Sequence, residues 1–69
     1  MKELADIRRI LTDRGCSWNV DISEKEYYTI MRISINDYKT TIASSGGMAG
    51  IEVRLTKYVI PDIKREFNL

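Results

Sequence analysis

Histidine is absent from the 69 residues. The commonest general base, metal ligand and pH switch is therefore missing. A single cysteine, Cys16, excludes an internal disulfide and a cysteine-built zinc cage. Apolar runs are as short as Val59-Ile60, far below the roughly 20 residues of a membrane span. The opening stretch Met1-Lys2-Glu3-Leu4-Ala5-Asp6 carries charges where a secretory leader needs an apolar run. A cytoplasmic protein with a reduced thiol is expected. Neither sign of charge dominates: eleven Lys and Arg face ten Asp and Glu, for a net charge of +1. That balance excludes a polybasic tail and an acidic decoy.

What is present points to a compact fold. Hydrophobic residues make up 43% and charged residues 30% of the chain, too apolar for disorder. The length allows one domain over residues 1–69. A chain this short buries only about 60% of its unfolded surface, so it relies on well-packed layers or on a partner.

The apolar pattern changes period along the chain. Leu4, Ile7, Ile10 and Leu11 recur at helical spacing and predict a helix over 3–14, with Gly15 as its stop. Glu3 and Asp6 near its start and Arg14 at its end suit the helix dipole, and Arg9 is placed to pair with Asp13. Trp18, Val20 and Ile22 then alternate with Ser17, Asn19 and Asp21, predicting a strand over 17–22. A second strand is expected over 27–35, with Tyr27, Thr29, Met31, Ile33 and Ile35 on one face. Asn36-Asp37 suits a two-residue turn into a third strand over 38–43.

Register follows from the loops. A turn at 36–37 sets Ile35 opposite Tyr38, Ile33 opposite Thr40 and Met31 opposite Ile42. A four-residue loop at 23–26 sets Ile22 opposite Tyr27, Val20 opposite Thr29 and Trp18 opposite Met31. Both loops gather the apolar residues on one face.

The last third admits two readings. Met48, Ile51, Leu55, Tyr58, Val59, Ile63 and Phe67 fit a helix over about 48–60, kinked or restarted at Pro61. Ile51, Val53 and Leu55 also alternate, as a fourth strand followed by a short helix would. The helical reading is preferred. The expected fold is α+β: a helix, a three-stranded antiparallel meander and a C-terminal helix, with the helices on one sheet face.

Catalytic chemistry finds little support. Ser44 and Ser45 lack a base, and no spacing favours Lys39 or Lys57 in that role. Cys16 reads as a small packing residue. Asp21, Glu24 and Glu26 read as a solvated acidic turn, without the glycine-punctuated calcium pattern. In the small-residue stretch from Ala43 to Gly50, Ser44-Ser45-Gly46-Gly47 lacks the lysine of a phosphate loop. It reads as a flexible turn with Ser45 capping the next helix. No enzyme activity, cofactor or metal is expected.

Binding is the better-supported class. If Met31, Ile33 and Ile35 face inward, Tyr28, Ile30, Arg32, Lys39 and Thr41 face outward as a partner-binding set, with the 44–50 loop as a second part of the binding surface. Tyrosine and arginine are favoured anchors in protein interfaces. An aromatic beside Arg32 and Lys39 would also stack bases or grip phosphates. A protein partner, nucleic acid held through Arg32, Lys39, Arg54 and Lys57, and a second copy paired through the third strand or the outer face are the three candidates. No membrane partner is expected.

The helix–three strands–helix order resembles the double-stranded RNA-binding domain and the messenger-RNA-cleaving toxins of the HicA type. The toxin activity depends on a histidine, which this chain lacks. The RNA-binding family places lysines at the start of its second helix, where Gly46 and Gly47 follow Ser45 here; Ala49 does fit its pattern. The stretches Ala5-Asp6-Ile7-Arg8-Arg9-Ile10, Ile30-Met31-Arg32-Ile33 and Thr41-Ile42-Ala43-Ser44-Ser45 resemble small phage-encoded anti-CRISPR inhibitors. That resemblance covers about half the chain and implies inhibition of a nuclease or effector complex. One inhibitor of that group, similar in element order, is strongly acidic and mimics nucleic acid. A chain at +1 would instead cover a protein surface or wedge a moving part.

Overall fold

The computed structural model describes residues 2–69. Helix α1 spans Lys2–Asp13, and strands β1, β2 and β3 span Trp18–Glu24, Thr29–Ile35 and Tyr38–Ser44. A C-terminal helix follows as α2 (Gly47–Arg54), a π-helical turn (Leu55–Val59) and α3 (Ile60–Glu66). The sheet is antiparallel in the order β1-β2-β3. This is the α+β architecture that the changing apolar period predicts, and no fourth strand forms from residues 51–60.

Local chemistry explains the boundaries. Gly15 takes φ 84°, a left-handed angle that a side chain would disfavour. Its N–H donates to the Thr12 carbonyl at 2.9 Å, and Cys16 N–H donates to the Leu11 carbonyl at 3.0 Å. Those two bonds close α1 as a Schellman motif. Arg14 lies beyond the helix, and its guanidinium donates to the Phe67 carbonyl at 2.8 Å, at the C-terminal end of α3. It therefore complements the dipole of a different helix from the one its sequence position suggests. Arg9 pairs with Asp6 at 3.8 Å, one turn back, instead of with Asp13.

The β2–β3 register is the expected one: Ile35 faces Tyr38, Ile33 faces Thr40 and Met31 faces Ile42. Asn36 supplies the left-handed angle, φ 52°. It also holds the start of β1. Ser17 N–H donates to Asn36 Oδ1 at 2.8 Å, and Asn36 N–H donates to the Ser17 carbonyl at 3.1 Å.

The β1–β2 register differs from expectation. Ile22 faces Met31, Val20 faces Ile33 and Trp18 faces Ile35. The ladder runs through Ser23 and Glu24, and Lys25 N–H donates to the Tyr28 carbonyl at 2.8 Å to close the turn. Polar Ser23 and Glu24 do not end pairing, because their side chains need no burial at a sheet edge. Each β1 residue meets a β2 partner four positions further on than the expected one. An even shift keeps every side chain on its face, so the apolar face survives the correction.

Helices cover that face only. α1 packs on β1, and α2 packs on β2 and β3. The fully buried side chains are Leu11, Ile33, Ile35, Ile51, Leu55, Ile60 and Ile63. Three expected stripe members stay out: Ile10 on α1 and Met48 on α2 are exposed, and Tyr58 is 60% exposed. Tyr58 is displaced by the π turn. Ile60 N–H bonds back to the Leu55 carbonyl, five residues away. The wider turn carries an extra residue, so burial resumes at Val59, Ile60 and Ile63. Proline explains its position. Pro61 has no N–H for the Lys57 carbonyl and its ring would collide with that carbonyl in a regular helix; widening the turn relieves both.

Candidate functional site

The sheet face opposite the helices is built from three cross-strand rows. They are Ser23–Ile30–Ala43, Asp21–Arg32–Thr41 and Asn19–Ser34–Lys39. Alternation along the strands sends these side chains away from the core. Ile30 is half-buried among its neighbours, while Arg32, Lys39 and Thr41 are exposed. Arg32 donates to Asp21 Oδ2 at 3.5 Å across the strands. Both groups are more than half exposed, so the pair contributes little stability. Lys39 forms no ion pair among the described residues.

Four of the five sequence-derived residues, Ile30, Arg32, Lys39 and Thr41, therefore share this face. Tyr28 lies one residue before β2, not within the strand; its carbonyl accepts from Lys25 N–H in continuation of the β1–β2 register, and its side chain is exposed. Tyr27, expected on the inner face, is 77% exposed in the turn before β2. Six residues of strand separate Tyr28 from Ser34, the row neighbour of Lys39, or about 20 Å at strand rise. No aromatic stands within the three rows, so the expected stack of an aromatic beside both cations does not form. The four cations of the nucleic-acid reading also divide. Arg32 and Lys39 stand on the open face, whereas Arg54 and Lys57 stand on the helix packed against the other one.

The small-residue segment is shorter than expected, because helix α2 begins at Gly47. Its N-cap is Gly46, with no side-chain cap, and Ser45 does not serve. Ser44 does the local work: its Oγ accepts from Gly46 N–H at 3.1 Å. Gly50 then passes so close that a methyl there would overlap Ser44 Oγ. Glycine at 50 is thus a packing requirement between β3 and α2.

One polar cluster escaped the sequence reading. Tyr38 OH donates to Asp62 Oδ2 at 2.7 Å, and Arg65 also binds Asp62. The Tyr38 ring meets Phe67 edge-on, with centroids 6.0 Å apart. Burial, then the Asp62 carboxylate, push the Tyr38 phenol up to about 12. The Tyr38 hydrogen bond, followed by Arg65, holds Asp62 below the ordinary carboxylate range. The only forward signal was Asp62 after Pro61; the extra residue of the π turn, which sets how α3 faces Tyr38, cannot be counted from composition. The cluster ties the β2–β3 hairpin to α3. It pairs an acid with a phenol whose proton is held more tightly than usual, the opposite of an activated base or nucleophile.

Among the described residues, no group of three or more His, Cys, Asp or Glu is arranged to hold a metal ion. Among the described residues, no helix is long and apolar enough to cross a membrane. Comparison with known proteins finds no matching family model, no matching curated protein and no matching solved structure.

Proposed function

We propose that this is a small, non-enzymatic, cytoplasmic binding protein that acts by occupying a macromolecular partner through the outer sheet face. The supporting observation is the one-sided packing. All the helices lie on one side of the sheet, which leaves a face rigidified from behind, with Arg32 and Thr41 in its middle row, Ile30 in the row at one end and Lys39 in the row at the other. A pre-ordered face loses little entropy on binding, and arginine is a favoured anchor in protein interfaces.

The most concrete form is a phage-type inhibitor of a host CRISPR defence complex, carried by the sequence resemblance. With a net charge of +1, such an inhibitor covers a protein surface instead of imitating nucleic acid. The test is DNA cleavage by a panel of CRISPR effector nucleases titrated with the protein. The reading expects cleavage by one effector to stop near equimolar inhibitor. Full cleavage across the panel removes the anti-CRISPR form. Tight binding to duplex or single-stranded nucleic acid, falling steeply with salt, would replace it with a nucleic-acid function.

A further inference from the structure

The phase of the β1–β2 ladder decides which backbone groups of β1 are free. Asn36 N–H bonds to the Ser17 carbonyl, and Lys25 N–H bonds to the Tyr28 carbonyl. Hydrogen-bonded pairs alternate along an antiparallel ladder, so Asn19, Asp21 and Ser23 turn their backbone groups toward β2. Trp18, Val20, Ile22 and Glu24 turn theirs outward, along an edge that no other strand covers. The side chains of Trp18, Val20 and Ile22 lie on the apolar face beside that edge. Ile22 is 46% exposed there, and Leu4, Ala5, Arg8, Trp18 and Val20 line an open apolar groove between α1 and β1.

The other edge is different. On β3 the outward backbone groups belong to Lys39, Thr41 and Ala43, and the lysine is a common guard against strand addition. β1 carries no lysine.

We infer that β1 pairs antiparallel with β1 of a second copy, about a two-fold axis at Val20. Self-complementarity selects this occupant and this register. With Val20 against Val20 of the partner subunit, Trp18 meets the partner's Ile22 on the apolar face, and Asn19 meets the partner's Asp21 on the polar face. Moving the axis to Asp21 sets two carboxylates directly opposite, which is destabilising. Moving it to Ile22 sets Val20 against the partner's Glu24. In the favoured register the partner's Glu24 falls beyond Trp18, toward the groove that Arg8 lines. The near-zero net charge imposes little repulsion between copies. The result is a six-stranded sheet whose two outer faces run continuously. This inference rests on the edge of β1 and is independent of the outer-face reading.

Light scattering and amide hydrogen exchange on the intact protein test it. The expected mass is twice 8.0 kDa, with the Trp18, Val20 and Ile22 amides protected increasingly as concentration rises and the Thr41 amide unprotected. Ile22→Pro removes only an outward N–H, a position that edge strands tolerate. It is expected to give a folded monomer, as is Ile22→Lys. A monomer up to roughly 1 mM, a dimer whose Val20 and Ile22 amides exchange freely, or a folded Ile22→Pro dimer each overturns the inference.

Discussion

Tyr38 shows how much one side chain can join in this molecule. Its ring packs on Phe67 and its hydroxyl binds Asp62, so one residue adds both an aromatic and a polar link between the hairpin and the last helix. Tyr38→Phe keeps the ring and removes the bond. We expect a loss of about 1 kcal/mol in denaturant unfolding, the usual net value of one hydrogen bond, and a rise in the Asp62 titration midpoint. The pH dependence has two limbs. The phenol is raised from 10.0 to about 12, so its stabilisation is complete below pH 10 and is lost as pH climbs through 12. The Asp62 carboxyl is lowered, so its contribution is present above the ordinary carboxylate range and is lost in acid as pH falls through the depressed value. Ultraviolet titration should show one of the four tyrosines ionising last. In Asp62→Asn that phenol should return toward 10. An unchanged late titration in Asp62→Asn would mean that the carboxylate contributes nothing to it.

Among elements, β3 and α2 approach closely at Gly50. Gly50→Ala sets a methyl onto Ser44 Oγ, and overpacking of this kind costs about 1–3 kcal/mol. Thermal melts should show the loss, and Ser44→Gly in the same chain should recover most of it. Failure of the second change to rescue would place the strain elsewhere. The elements were largely legible in the sequence because period is a local signal. Trp18, Val20 and Ile22 alternate, Ile7 and Leu11 recur by four, and Gly15 and Asn36 mark turns that need left-handed angles. What escaped depends on counting across a break. The β1–β2 register slipped because Ser23 and Glu24 look like loop residues yet continue the ladder. The same slip set Tyr28 in the turn, one residue before β2. The π turn had a trace: Ile51, Leu55, Val59, Ile63 and Phe67 repeat every four residues, and in a regular helix each such step drifts by about 40°. A stripe that holds a strict period of four needs an extra residue per turn somewhere, and Pro61 fixes where.

At the scale of the molecule, asymmetry is the organising feature. One face of the sheet carries the core and the helices, and the other carries Ile30, Arg32, Lys39 and Thr41 with nothing over them. The helix side also exposes apolar groups, Val53 at 64% and Tyr58 at 60%, so the two sides compete as working surfaces. The most direct measurement is inhibition of effector cleavage by two face-specific variants, Arg32→Ala/Lys39→Ala on the sheet and Val53→Ala/Tyr58→Ala on the helix, both checked for fold by circular dichroism. All four side chains are exposed, so both variants should fold. The outer-face account predicts that the sheet variant loses inhibition by about tenfold or more, on the order of 1.4 kcal/mol of binding, while the helix variant matches the parent. Loss confined to the helix variant, with the sheet variant fully active, would contradict it.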